Sequence, residues 1–420
     1  MSSPRLFAAG AYVDAVRAFN RNVVLLLSVT AARGMTIAAT GAVFNLYLHA
    51  LGFGTPYIGL VNATNALATL VVSVPLGYLA DRIGRRPVLL LGGTLYPFLF
   101  LAVTLTRSPA AILVLSFLFG GAATAYWVAG VPLLYSSAGE RERVHAFSIN
   151  SFLLWGIGPL GALLAGLVVE AAGHLLGVSP SAPDALRFGL FFGVLVSLLG
   201  AVPYPFLEER GEHVHHETAP PIRQLAGLFI RLLAPDLLLA IGLGGLVTFI
   251  QLYYALRFHL DAGPIGVILA VGGVTAGVGT LFTPSIAARF GRLRTAVWLQ
   301  WSTVPFMVVL AASMLLPPSI LAYWLLVTLR GMSDPVYTTF VQERVSDRYR
   351  ARLTGLYSVT YSIGFSFGPA TSGELQQVGG FTAAFIVAAA VYFVGSSLLW
   401  LFFRKRPDSE AAGVQREGWS

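Results

Sequence analysis

Twelve stretches of about 20 mostly apolar residues, separated by short polar connections, constrain this chain more than any other feature of its sequence. A helix needs about 20 such residues to cross the hydrocarbon core of a bilayer, so each stretch predicts one transmembrane helix. No segment alternates between apolar and polar residues as the strands of a membrane β-barrel do. The predicted fold is therefore an all-α membrane protein. The predicted spans are 22–50, 56–80, 87–106, 109–137, 145–172, 185–207, 234–258, 263–288, 294–316, 318–342, 350–376 and 380–403.

The small number of charged residues leads to the same prediction. Only 11% of the residues are charged and 56% are hydrophobic, whereas a soluble domain carries about 25% charged residues. The surface must therefore face lipid. The chain has no cysteine, which excludes disulfides and thiolate metal ligands. The N-terminal residues lack a compact apolar run followed by a cleavage site, so we expect no removable signal peptide.

The positions of the basic residues predict the orientation in the membrane. With the N-terminus inside, 22 of the 27 lysines and arginines lie in cytoplasmic segments; Arg107, Arg187 and Arg257 lie outside, and Arg33 and Arg330 lie within helices. This asymmetry follows the positive-inside rule and places both termini in the cytoplasm. Because the basic residues follow one membrane face, we expect no binding to nucleic acid. The predicted location is the inner (cytoplasmic) membrane, as a multi-pass protein.

The two halves of the chain resemble each other. The longest polar stretch, 208–224, separates two groups of six predicted helices, and four short matches recur in order at offsets of 206 to 210 residues. Two six-helix repeats are typical of transporters that rock about a binding site at the midplane. The predicted organisation is an N-terminal bundle, a cytoplasmic central loop that could contain an amphipathic helix, a C-terminal bundle and a cytoplasmic tail. Their ranges are 1–207, 208–233, 234–403 and 404–420.

A short motif lies between the second and third predicted helices, in the segment GYLADRIGRRP (77–87). Glycine here permits close packing and a tight turn, and an acid can face a helix N-terminus or a basic residue. This segment resembles the signature loop of the major facilitator superfamily, and the resemblance implies a cytoplasmic latch that steadies the outward-open state. The latch residues are Gly77, Asp81, Arg82, Gly84, Arg85 and Arg86. The copy in the second half has Ala288 in place of the acid.

The resemblance also implies a secondary active transporter that works by alternating access, as a monomer, with helices 1, 4, 7 and 10 around the central cavity. It is closest in kind to drug exporters, so we expect export, with protons as a candidate coupling ion. Two marks of the drug–proton antiporters are incomplete: segment 116–126 of helix 4 lacks their arginine, and GIGPLGA (156–162) only approximates their helix-5 motif. Sites of helix packing or bending are the simpler interpretation of Gly158, Pro159, Gly368 and Pro369.

Charged residues inside the membrane are costly and mark functional sites. Arg33 lies near the middle of the first predicted helix, and Arg330 and Asp334 are one turn apart in the tenth. Two interpretations stay open: Arg330 and Asp334 neutralise each other while Arg33 pairs with a carbonyl or with Asp334, or Asp334 carries the coupling proton. The three charges sum to +1, which favours an anionic group on the substrate.

Asn45 and Gln251 occupy corresponding places in helices 1 and 7, where they could hydrogen-bond a substrate from both halves or join the helices. The sequence contains no metal-ligand spacing, phosphate-binding loop or catalytic constellation, so we expect no metal, no cofactor and no enzyme activity. The expected partners are a small-molecule substrate and membrane lipid. A lipid or glycolipid flippase, or an organic-anion uptake symporter of the same fold, remains an alternative.

Overall fold

The computed structural model describes residues 19–139, 142–209, 226–345 and 347–404. Throughout these residues the chain is helical and forms no strand, which confirms the predicted all-α fold. Residues 210–225 of the predicted central loop and 405–420 of the predicted tail lie outside the described residues.

Twelve long helical segments follow one another in the order that the apolar stretches predict. The first six are α1 (Arg21–Ala50), α2 (Thr55–Ile83), α3 (Arg85–Leu105), α4 (Pro109–Ser137), α5 (His145–Leu176) and α6 (Pro183–Phe206). The next six are α7 (Ala226–Phe258), α8 (Ala262–Thr280), α9 (Arg292–Ala312), α10 (Leu316–Glu343), α11 (347–379) and α12 (381–403). A short helix, Thr283–Phe290, extends α8, and Gly380, with φ 65°, separates α11 from α12.

The helices are long and apolar enough for a multi-pass membrane protein. Ten helical stretches of the described chain meet the length and hydropathy of a membrane span, with α11 and α12 counted as a single stretch. The segment α10, which carries Arg330 and Asp334, is not among the ten. Large apolar side chains such as Val74 and Phe98 are 72% and 61% exposed, as expected of a surface in contact with lipid.

The start of α7 differs from the sequence-based boundary. Residues 208–233 were expected to form a loop that could contain an amphipathic helix, but the described part of this segment from Ala226 onward is continuous with α7. Pro235 lies inside the helix without ending it. The apolar residues of the helix begin at Ala226. The sequence did not indicate this start, because a basic residue such as Arg231 near the end of a span is usually assigned to the adjoining loop. The extension places residues after 234 deeper in the bundle than expected.

Two helices of the first half contain π-helical turns, at Tyr126–Gly130 in α4 and at Phe152–Ile157 in α5. Each turn ends two residues before a proline, Pro132 or Pro159, whose missing N–H interrupts the helical hydrogen bonds. The irregular turn in α5 agrees with the bending expected at Gly158 and Pro159. In α11, Gly368 and Pro369 lie within the helix, and the described backbone has no non-helical residue there.

The two halves touch closely at one end of the bundle, where α2 packs on α11 and α5 packs on α8. Gly59 lies directly against the carbonyl of Pro369, and a Cβ added at Gly166 would be 2.6 Å from the carbonyl oxygen of Ala262. The Thr55 hydroxyl donates to the carbonyl of Gly373 at 3.0 Å. We call this end the closed face. Small residues allow such approach of helix backbones, so glycine holds the halves together here.

The opposite end of the bundle contains the turns at Gly84 and Gly291, which join α2 to α3 and α8 to α9. Gly84 has φ 97° and ψ 158°, and Gly291 has φ 82° and ψ 153°, a conformation that glycine adopts at little cost. We call this end the arginine-rich face. The described arginines near it are Arg82, Arg85, Arg86, Arg289, Arg292, Arg294, Arg344 and Arg404.

Substitution of Gly59 by leucine is expected to open the closed face. A side chain there would collide with the Pro369 carbonyl, and overpacking of about 1–3 kcal/mol shifts the ratio of closed to open molecules at least about fivefold. Because the chain has no native cysteine, spin labels on cysteines introduced at the exposed residues Leu175 and Met314 report the separation of the halves. Long distances should become more populated.

The matched control is Gly41→Leu in α1, because no atom lies within 4 Å of an added Cβ at Gly41. This control should keep the native distance distribution. An unchanged distribution in Gly59→Leu would contradict the role of glycine packing in closure.

Candidate functional site

The ion pair predicted between Arg330 and Asp334 is present in α10. The Arg330 Nη1 donates to Asp334 Oδ2 at 2.6 Å, and the two residues are one helical turn apart. The Arg330 side chain is 26% exposed and the Asp334 side chain 51%, so the acid is the more accessible member. The helix continues through Pro335 without a break. The pair therefore stays on one face of a regular helix.

A second carboxyl group, Asp236 of α7, lies close to this pair and is only 4% exposed. Its Oδ2 accepts a hydrogen bond from Thr360 Oγ1 at 2.9 Å, and Tyr357 lies beside it. The sequence analysis did not identify Asp236. It lies two residues after the expected start of its span at 234, where an acid is ordinarily exposed to water. Since α7 begins at Ala226, Asp236 is ten residues, about 15 Å, along the helix.

We call Asp236, Arg330 and Asp334 the carboxylate cluster. The neighbouring side chains from α11 are hydroxyl-bearing: Tyr357, Thr360 and Tyr361. With both acids ionised the cluster carries one net negative charge. A buried carboxylate is costly unless it is paired or hydrogen-bonded, and among the described residues Asp236 has a hydroxyl partner but no ion pair. Such an arrangement can take up and release a proton or hold a cation.

Arg33 lies in the first half and does not join the carboxylate cluster. Its Nη2 donates to the carbonyl of Ala123 in α4 at 2.8 Å. Its guanidinium carbon is 4.8 Å from the ring centre of Tyr126, 5.4 Å from that of Tyr96 and 5.8 Å from that of Trp127. The sequence left open a carbonyl or Asp334 as its partner, and the structure has the carbonyl. Cation–π contact stabilises the charge within this aromatic cage.

Asn45 and Gln251, which occupy corresponding places in the two halves, both donate to the same backbone carbonyl. The Asn45 Nδ2 donates to the carbonyl of Thr248 at 2.6 Å, and the Gln251 Nε2 donates to the same carbonyl at 2.9 Å. Helix α7 is interrupted at Thr248 and Phe249, so this carbonyl lacks its usual helical partner. Both amides are 3% exposed. Their interaction joins the halves, and the expected hydrogen bonds to substrate are not available in this conformation.

In the motif at the arginine-rich face, the acid that contacts a helix N-terminus is Glu209 and not Asp81. The Glu209 carboxylate accepts hydrogen bonds from the backbone N–H groups of Arg85 at 2.8 Å and Arg86 at 3.0 Å. Asp81 is exposed and makes no ion pair or hydrogen bond with the described residues. The sequence gives no local signal for this role of Glu209, because Glu209 follows α6, about 120 residues after the motif. The latch assigned to Asp81 is therefore not engaged here.

The other motif residues have local roles. The Arg85 Nη1 donates to the carbonyl of Pro132 at 3.3 Å, and the Arg86 Nη2 donates to that of Pro205 at 2.9 Å. The Arg82 guanidinium lies 5.2 Å from the ring centre of Tyr78 in its own helix. The close packing expected at Gly77 is absent, since an added Cβ would meet only Val128, at 3.9 Å.

The packing expected at the Gly-Pro pairs is present in both halves. Gly158 of α5 lies directly against Gly34 of α1 and the carbonyl of Leu154, and an added Cβ at Gly368 of α11 would be 2.5 Å from the carbonyl oxygen of Ile241 in α7. Each adjacent proline meets a glycine of the other half: Pro159 contacts Gly273, and Pro369 contacts Gly59. These residues thus join helices both within and between the halves.

Replacement of Thr360 by valine should destabilise the protein by about 1–3 kcal/mol, because it leaves a buried carboxyl oxygen of Asp236 without its donor. The measurement is thermal unfolding of the purified protein in detergent. The control is Thr371→Val in the same helix, where the hydroxyl bonds only to the helix's own carbonyls, those of Phe367 and Gly368. Equal unfolding temperatures in the two variants would contradict a structural role for the hydrogen bond to Asp236.

Comparisons with known proteins agree with this architecture. The sequence model of the Major Facilitator Superfamily matches residues 26–334 and 237–420. The chain is similar to the quinolone resistance protein NorA of Staphylococcus aureus (strain MRSA252), at 23% identity over 80% of this chain and 85% of that protein.

A second relative is the class G tetracycline resistance protein of Vibrio anguillarum, at 27% identity over 81% of this chain and 85% of that protein. Among solved structures, the nucleoside transporter NupG superposes with a TM-score of 0.72 at 14% identity, covering 91% of this chain and 99% of that one. At this identity the superposition establishes the fold alone.

Proposed function

Because the chain belongs to the Major Facilitator Superfamily, and is thus a membrane transporter of small molecules and not an enzyme, we propose that it exports amphipathic drug-like molecules from the cytoplasm in exchange for protons. Support for export comes from the relatives, which are named for resistance to quinolones and tetracycline. Support for proton exchange comes from the carboxylate cluster. We further propose that the transporter acts as a monomer in the inner membrane with both termini in the cytoplasm.

The observation that carries the proposal is the presence of two carboxyl groups with one arginine between α7 and α10. Asp334 is half exposed and ion-paired, while Asp236 is buried and hydrogen-bonded to a hydroxyl. A bound cation or proton compensates the negative charge of the second carboxylate. When the cation or proton leaves, that buried charge is uncompensated. The cluster therefore alternates between proton-bound and substrate-bound forms in the proposed cycle.

Asp236 also alters the charge argument for an anionic substrate. The sequence analysis summed Arg33, Arg330 and Asp334 to +1, but inclusion of Asp236 brings the sum to zero. Arg33 already contacts a carbonyl and three aromatic rings. The charge sum thus no longer favours an anion, and the excess of acid in the second half favours cationic or zwitterionic drugs.

The two faces of the bundle support alternating access. Glycine contacts hold the halves together at the closed face, and Asp81 of the proposed latch is unengaged at the arginine-rich face. If the arginine-rich face is cytoplasmic, this conformation receives substrate from inside. Closure of the latch and separation of the glycine contacts then complete the cycle.

Asp236→Asn is expected to abolish accumulation of a lipophilic cation driven by a pH gradient, at least about tenfold, while exchange of labelled for unlabelled substrate persists. The amide keeps the shape and the hydrogen bond from Thr360 but cannot exchange a proton. Both reactions are measured in proteoliposomes with the pH gradient imposed in either direction. The control is Asp184→Asn, whose side chain is 62% exposed.

Two outcomes would contradict the proposal. If gradient-driven transport persists in Asp236→Asn, the carboxylate cluster does not couple transport to protons. Uptake of organic anions that requires Arg33 or Arg330, or movement of labelled phospholipid between leaflets, would identify the symporter or flippase instead.

The proposed orientation has its own test in intact cells. A cysteine introduced at Val378, which is 91% exposed beside the closed face, should react with an impermeant maleimide added outside. A cysteine at Arg289, exposed on the arginine-rich face, should react only after permeabilisation. The reverse pattern would place the termini outside.

A further inference from the structure

A large cavity lies at the arginine-rich face of the second half, apart from the carboxylate cluster. Its volume is about 1170 Å³, and its walls come from the end of α8 with its extension, the start of α9 and the ends of α10 and α12. Asp236, Arg330 and Asp334 do not line it. The transport proposal therefore does not account for this cavity.

The charge lining the cavity is strongly positive. Four arginines and one acid, Glu343, are among its described lining residues. Arg292 pairs with Glu343, and Arg344 stacks on Phe340 and Phe403 at 4.7 and 5.6 Å. The other two, Arg294 and Arg404, form no ion pair with the described residues. Their two positive charges are thus left for a ligand in the cavity.

A buried polar group in the cavity wall also lacks a partner. Thr283 is 2% exposed and lines the cavity, yet its hydroxyl has no hydrogen-bond partner in the described part of the chain. Buried hydroxyls are nearly always hydrogen-bonded, since an unsatisfied one costs about 1–3 kcal/mol. A ligand oxygen in the cavity would satisfy this group.

The corresponding turn of the first half contains an acid that the second half lacks. At Gly84 the Glu209 carboxylate accepts hydrogen bonds from the first N–H groups of α3. At Gly291, which has the same backbone conformation, no described side chain caps α9, and no described atom lies within 4 Å of an added Cβ. Helix N-termini attract anions through their free N–H groups and dipole. An external anion can therefore occupy the position that Glu209 fills in the first half.

The remaining wall is aromatic, formed by Phe290, Trp400 and Phe403. Phe290 is 41% exposed and lies beside Trp298, which is 44% exposed. Tryptophan, here Trp400 and the neighbouring Trp298, is frequent at the level of lipid headgroups. A wall of this composition suits a ligand that joins a phosphate to an apolar body, better than it suits a free phosphate ion.

We propose that this cavity binds the phosphate headgroup of an anionic phospholipid. The phosphate accepts hydrogen bonds from the N-terminus of α9, and Arg294 and Arg404 neutralise it. Thr283 lies at the other end of the helix Thr283–Phe290, about 12 Å from Gly291, so its hydroxyl donates to a different oxygen of the lipid, such as an ester oxygen. Basic pockets between transmembrane helices bind anionic headgroups in this way. The ligand links α8, α9, α10 and α12 at the arginine-rich face. The proposed coupling pair, Arg330 and Asp334, lies nearer the middle of α10.

The test is native mass spectrometry of the full-length purified protein titrated with phosphatidylglycerol. Saturable binding is expected, weakened about fivefold by each of Arg294→Gln and Arg404→Gln, since each basic residue contributes about 1 kcal/mol. Thr283→Val should also weaken binding. Arg289→Gln is the matched control: it lies on the same face, two residues from Gly291, but does not line the cavity, and should bind as the native chain does.

Unfolding temperatures measured without lipid separate loss of binding from loss of folding. Equal binding of phosphatidylcholine, or equal loss in Arg289→Gln, would overturn the proposal. Displacement of phosphatidylglycerol by inorganic phosphate at similar concentration would overturn the lipid source and identify a site for soluble phosphate.

Discussion

Polar groups inside a membrane have no water to bind, so every backbone and side-chain donor or acceptor needs a partner within the protein. The carbonyl of Thr248 illustrates the constraint. The interruption of α7 frees this carbonyl, and two buried amides, Asn45 and Gln251, donate to it. One of these amides comes from the other half, so the repair of a broken helix also connects the two halves. The interruption of α7 thereby provides a hydrogen bond across the interface between the two halves.

The same constraint explains the unequal distribution of charge. In the first half Arg33 is surrounded by a carbonyl and aromatic rings, which stabilise it without an acid. In the second half two carboxyls depend on one arginine and a threonine hydroxyl. The first arrangement compensates the charge through a carbonyl and aromatic rings, although the Arg33 Nε has no hydrogen-bond partner among the described residues, whereas the second has one more carboxyl group than it has basic side chains. The excess of carboxyl groups over basic side chains therefore lies between α7, α10 and α11.

The sequence predicted the helices and offered the Arg330–Asp334 pair as one of two interpretations, because both depend on spacing within a short segment. Hydrophobic length defines a span, and an offset of four residues defines a helical face. The features that it missed connect distant segments. Asp236 was hidden by a helix boundary eight residues too late, and Glu209 contacts a turn about 120 residues earlier in the chain. The sequence around Gly77 does not specify where the neighbouring helix lies, so it could not indicate that close packing is absent there.

The interface between the halves has properties that suit reversible separation. Its close contacts at Gly59, Gly166, Gly266 and Gly373 are van der Waals contacts between backbones, and none of these contacts is an ion pair. Such contacts gain energy only at short range, so a small displacement removes them all together. When the halves separate, lipid or water covers the small surface that is exposed, and no buried charge loses its partner. Each ion pair between described residues lies instead within one half, where its members move as a unit and stay paired while the halves rock. A bundle built in this way can change its accessible face while the pairing that stabilises each half stays intact.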